Sequence, residues 1–122
     1  MRIIIAGSRD IDKRFALWEV VRTLTRLDYL SDVAELVTGD CPSGPDQVPY
    51  MLRDTILPGV PVVGFPARWD LHGKSAGPRR NREMAEYADA AIVVMWKGGS
   101  RGSQNMISEM RRLNKLVEVI EI

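Results

Sequence analysis

Residues 2–10, Arg2-Ile3-Ile4-Ile5-Ala6-Gly7-Ser8-Arg9-Asp10, begin with an uninterrupted apolar run and break at glycine into a polar turn. Three consecutive β-branched residues bounded by a breaker form a strand buried on both sides. A strand covered on both faces belongs to a parallel sheet flanked by helices. Further along the chain the same unit repeats. Val33–Thr38 (VAELVT) stops at Gly39, Val60–Phe65 (VPVVGF) is a third strand, and Ala90–Trp96 (AAIVVMW) is the fourth and most hydrophobic. Leu116–Ile122 (LVEVIEI) is a fifth, placed near a sheet edge by Glu118 and Glu121.

Helical patterns lie between the strands. Asp12 is the expected N-cap of a helix running to Leu27, whose Phe15, Trp18, Val21, Leu24 and Leu27 recur at three-residue steps, with Trp18 assigned to the core. A helix starts irregularly near Ser43–Pro45 because Pro49 follows so soon. Ala76–Ala88 carries Pro78 in its first turn, and Gly102–Lys115 lines one face with Met106, Met110 and Leu113. Strands alternating with helices predict right-handed crossovers. The expected fold is a single α/β domain over residues 1–122, with five mainly parallel strands and helices on both faces.

Size and charge narrow the function. The chain has 122 residues, 45% hydrophobic and 27% charged, which suits one globular domain. A net charge of +1 supplies no global field for nucleic acid or an anionic membrane, so any anion site is a local arrangement of cations. Cys41 is the single cysteine and His72 the single histidine, so no disulfide, metal centre or other cofactor is expected. The apolar run near the N-terminus is too short for a signal peptide and no stretch has the length of a membrane span. A cytoplasmic location is expected, with no membrane partner.

In doubly wound sheets ligands sit outside the carboxyl ends of the strands. The loops there are GSRD (7–10), GDCPSGPD (39–46), FPARWDLHGKSAGPRRN (65–81) and WKGGSRGSQN (96–105). Glycines let backbone N–H groups approach an anion, serines donate hydrogen bonds, and arginines fork onto phosphate oxygens. Gly7, Ser8 and Arg9 form one such set, Gly99, Ser100, Arg101, Gly102 and Ser103 another. Gly44 and Asp46 belong to the second loop. Lys74, Arg79, Arg80 and Arg82 crowd the start of a helix whose N-terminal dipole is already positive. A negative ligand accounts for Lys74, Arg79 and Arg80. Arg82 is expected to pair with Glu86 one turn on. Arg80 is expected to be a surface charge whose removal lowers affinity and spares stability. Trp69, in a loop, is the favoured platform for a stacked base, while Trp96 either stacks or packs. His72 reads as polar surface and Cys41 as incidental, and Met106 and Met110 fill the core or a subunit contact.

The strings GSRD, G-x(6)-D, FPARWDLHGKSAGPRRNREM and ADAAIVVMWKGGSRGSQNMI together resemble the YspA-related group of the SLOG superfamily over nearly the whole chain. The resemblance implies a Rossmann-like fold that recognises a nucleotide-derived ligand, phosphorylated or ADP-ribose-like, as a sensor or signal-sequestering module. It also reaches the LOG phosphoribohydrolases, whose RK-x-x-M helix start and PGG-x-GT-x-x-E loop are similar to residues 80–84 and 98–106. On that likeness Gly7 and Ser8 hold phosphate or ribose, and Asp46 orients a sugar hydroxyl or its own loop. Gly102 and Ser103 cradle phosphate, Arg80 matches the arginine at the glycosidic centre, and Asn81 stands where a lysine does. Met106 occupies the place of the catalytic glutamate, so hydrolysis of a nucleoside monophosphate depends on Arg80 with a carboxylate from elsewhere: Glu109 one turn on, Glu83 or Asp46. A homo-oligomer is one expected state of the chain, with Met106 and Met110 as candidates for a subunit contact.

Overall fold

The computed structural model describes residues 1–122. It is an α/β domain built on one five-stranded sheet in which every neighbouring pair is parallel. The strands are β1 (Arg2–Gly7), β2 (Glu35–Thr38), β3 (Val62–Gly64), β4 (Ala90–Met95) and β5 (Leu116–Glu121). The helices are α1 (Lys13–Arg26), α2 (Val48–Arg53), the single turn α3 (Trp69–His72), α4 (Ala76–Tyr87) and α5 (Arg101–Arg112). The sheet order is β3-β2-β1-β4-β5. The chain therefore winds outward from β1 to β3, then crosses back to β4 on the other side of β1. That reversal opens a crevice between the carboxyl ends of β1 and β4.

The two faces carry separate cores, as the alternation of side chains along each strand requires. Ile3, Ile5, Leu36, Ile92 and Val94 face α1 and α2, meeting Ala16, Val20, Leu24, Val48 and Leu52. Ile4, Ala6, Val37, Ala91, Val93 and Met95 face α4 and α5, where Met84, Met106, Ile107 and Met110 pack. Met106 and Met110 are thus core residues.

Asp12 caps α1 as expected, accepting from the backbone N–H groups of Arg14 (2.7 Å) and Phe15 (3.3 Å). Trp18 is a correction. It is 63% exposed and Phe15 44%, while Ala16, Val20, Thr23 and Leu24 face inward. Three-residue steps lag a 3.6-residue turn by about 60° each, so that apolar series winds around the helix instead of holding one face. The second strand begins at Glu35, two residues later than the apolar pattern indicates. The second loop forms a 3-10 turn (Gly44–Gln47) before α2, with Pro49 in its first turn. Arg82 is another correction: its Nε lies 3.5 Å from Glu109 on α5, and Glu86 faces Arg112 instead.

Candidate functional site

Four loops leave the carboxyl edge, and three of them, with the start of α4, enclose a crevice of about 670 Å³. Its wall at β1 is Gly7-Ser8-Arg9. A Cβ on Gly7 would sit 1.8 Å from the carbonyl oxygen of Val94, its register partner on β4, so no other residue fits there. The next residue, Ser8, is buried and ties the two strands. Its N–H donates to Val94 O (3.0 Å) and its Oγ accepts from the N–H of Trp96 (3.3 Å).

The β4 wall turns through Gly98 and Gly99, both at positive φ (+88° and +72°), which l-residues with side chains adopt at a cost. Ser100 then caps α5, its Oγ accepting from the N–H of Ser103 (3.2 Å) and donating to Ser103 Oγ (2.8 Å). The N–H groups of Arg101 and Gly102 have no partner within the chain. They open onto the crevice at the positive end of a twelve-residue helix.

Arg80 closes the side formed by α4. Its Nη1 donates to Gly39 O (2.7 Å) and reaches Phe65 O (3.5 Å), and its Nε donates to Asn81 Oδ1 (3.0 Å). Both Nη2 N–H groups stay unpartnered. Gly39 admits this arrangement, since a Cβ there would lie 2.4 Å from Nη1 and 3.0 Å from Asp46 Oδ2. Arg80 is therefore half-buried and braced, not a solvated charge. Asn81 does the bracing: its Nδ2 donates to Gly102 O (3.2 Å) and Asn105 Oδ1 (2.9 Å), so its amide is spent on joining α4 to α5.

Asp46 lies beneath, 8% exposed, with Oδ2 accepting from the N–H of Cys41 (3.0 Å) and Oδ1 unpartnered. Burial pushes its carboxyl above the ordinary value of 3.8, against the opposing pull of the Cys41 N–H and the Arg80 charge. The folded state thus binds more protons than the unfolded one between 3.8 and the raised value, and stability from this group falls as pH rises through that window. Asp46→Asn, which can still accept from Cys41, is expected to melt higher than the wild type at neutral pH. The difference should vanish below pH 3.8, which a pH series of melting curves measures.

The crevice unites Gly7, Ser8, Arg9, Asp46, Arg80, Asn81, Gly99, Ser100, Arg101, Gly102 and Ser103 of the expected residues. Others lie elsewhere. Gly44 packs behind it, a Cβ there falling 2.8 Å from the Arg9 backbone, and Ser43 Oγ donates to Arg9 O (3.0 Å). Lys74 does not line the crevice. Arg79 donates from Nε to Ser75 Oγ (3.1 Å) and, with His72, Arg82 and Glu109, borders a separate polar groove. Glu109 sits in that groove too, bound by Arg112 (3.1 Å). Trp69 is 55% exposed against Gly77 at the start of α4, also outside.

The aromatic in the crevice is Trp96, 45% exposed, its Nε1 donating to Asp10 Oδ1 (2.8 Å). Asp10, Gly39 and Cys41 line the crevice as well, unanticipated from sequence. The signal for Trp96 and Asp10 was their place, each just past a strand end in loops that adjacent strands bring together.

Three of the arginines without a carboxylate partner gather at the crevice. Seven arginines elsewhere pair with carboxylates. Arg9, Arg80 and Arg101, at the crevice, have no such pair, and neither do Arg14, Arg79 and Arg111, which are scattered outside it. Comparison of the chain with protein-family models, with curated proteins and with solved structures gave no match.

Proposed function

We propose that the crevice binds a nucleotide-derived small molecule, phosphorylated or ADP-ribose-like, and that the protein acts as a sensor or a sequestering module for it. The observation that carries this reading is the set of Arg9, Arg80 and Arg101, unpaired with acids, around the unpartnered N–H groups that begin α5. Preset donors with no internal acceptor suit a phosphate. Trp96 supplies an aromatic face held by Asp10, and Asp46 Oδ1 is an acceptor for a ligand hydroxyl. The volume of about 670 Å³ accommodates a nucleotide. The family resemblance of the sequence points the same way.

The test is calorimetry and thermal shift with nucleoside mono- and diphosphates, ADP-ribose and ribose 5-phosphate. At least one nucleotide should raise the melting temperature, because binding to the folded state alone stabilises it. No shift across the series would sink the reading.

A second reading, hydrolysis of the N-glycosidic bond of a nucleoside monophosphate, is favoured by one observation: a buried carboxyl with raised pKa, Asp46, beside Arg80 in the crevice. Against it, Met106 is buried in the core and Glu109 lies in the other groove. The expected outcome is a nucleotide that binds without release of ribose 5-phosphate. Steady release of free base, abolished in Asp46→Asn, would make Asp46 the acid and replace the binder reading.

A further inference from the structure

We infer that the protein forms a two-fold dimer by antiparallel pairing of β5 with β5 of a second copy, which makes one continuous sheet across the two chains. The two edges of the sheet are built differently. At one, β3 is three residues long and enclosed by Pro61 and Pro66, the short, proline-bounded form that resists pairing. At the other, β5 runs six residues with no proline, no lysine and no bulge to blunt it.

The backbone direction selects which groups are free. Ile122 donates its N–H to Met95 O (2.9 Å) and accepts from the N–H of Lys97 (3.3 Å), so its backbone faces β4. Alternation then turns the N–H and C=O groups of Val117, Val119 and Glu121 away from the sheet. Two identical strands related by a two-fold axis pair antiparallel, with the axis midway between the two copies of one residue. Centred on Val119, the pairing closes reciprocal hydrogen bonds at 119–119 and at 117–121. It sets Leu116 opposite Ile122 and Glu118 opposite Ile120. Centred on Glu118, it would press two carboxylates together in a close non-hydrogen-bonded pair. The charge pattern of LVEVIEI therefore fits a second copy of itself in the Val119 register.

Side chains support the same occupant. The α1 side of β5 is only partly covered by α1: Ile120 packs against that core, but Leu116 is 45% and Ile122 37% exposed, and a groove of about 670 Å³ runs between β5 and α1. Trp18, 63% exposed, stands at that groove. Glu118 within it is already paired with Arg26, so its charge does not oppose the seam. A two-fold axis normal to the sheet puts the α1 helices of both copies on one side, and the two grooves adjoin.

Sedimentation equilibrium should give twice 13.7 kDa for the wild type. Val119→Pro removes an N–H that points outward and serves no bond to β4, so it should give the monomer mass with an unchanged circular dichroism spectrum. A register-specific pair of variants keeps the test sound if that one misfolds. Leu116→Lys with Ile122→Lys sets like charges opposite and should be monomeric, whereas Leu116→Lys with Ile122→Glu sets opposite charges together and should remain dimeric. A wild type at monomer mass, a Val119→Pro that stays dimeric, or two double variants with the same mass would overturn the proposal.

Discussion

Gly7→Ala is expected to lower the melting temperature by roughly 10–20 °C, equivalent to about 3–5 kcal/mol for a domain of this size. The added Cβ would lie 1.8 Å from Val94 O and 2.8 Å from a ring carbon of Pro45. The first of these is backbone on the central strand β4, which no rotamer change moves. Relief requires β1 and β4 to separate at their carboxyl ends, breaking the bond from Ser8 N–H to the same oxygen. Because those ends form the crevice, ligand binding should disappear along with stability. Gly102→Ala is the control. A Cβ there meets nothing within 4 Å, and alanine is the better helix former, so melting should be unchanged or slightly raised. A Gly7→Ala protein as stable as wild type would show that the β1–β4 junction yields, contrary to the close packing drawn here.

The order of elements was legible in the sequence because each strand is an apolar run closed by glycine or charge, and each helix has its own periodicity. Asp12 is a local cap, and local features read well. What depended on strand order did not. Trp96 and Asp10 meet only because β1 lies beside β4, and nothing within either loop announces that neighbour. Trp69, in the more suggestive loop, is carried onto Gly77 instead. Arg79 and Arg80 are adjacent in sequence, yet a helix turns about 100° per residue, so only Arg80 is directed at Gly39 while Arg79 faces Ser75. Arg82 had a partner within α4, but Glu109 on α5 competes successfully through tertiary packing. In each case the missing information was which element lies alongside, a property of the whole chain.

The same dependence makes Arg80→Ala, among variants that leave the β1–β4 junction in place, the one with the largest effect on affinity. Affinity for the nucleotide found by the calorimetric series should fall by about 1.5–3 kcal/mol, roughly 10- to 150-fold, the value of hydrogen bonds from a charged donor. Unlike a surface charge, Arg80 also holds structure. Its loss leaves Gly39 O and Phe65 O without their donor, frees Asn81 Oδ1, and removes the cation that opposes the raised pKa of Asp46. Stability should therefore drop by about 1–3 kcal/mol as well, because buried acceptors lose their donor. Arg80→Lys separates the two roles. It keeps a positive charge near Asp46 but has no planar fork, so stability should recover further than affinity. Adding Asp46→Asn to Arg80→Ala should restore part of the melting temperature, since the desolvation cost of the buried acid is gone, and none of the affinity supplied by the guanidinium. Melting curves and titrations on the single and double variants measure both quantities. If the double variant is no more stable than Arg80→Ala, the buried acid carries no such desolvation cost. If Arg80→Ala binds as tightly as wild type, the free Nη2 donors do not hold the ligand, and Arg9 and Arg101 at the start of α5 must account for the anion site alone.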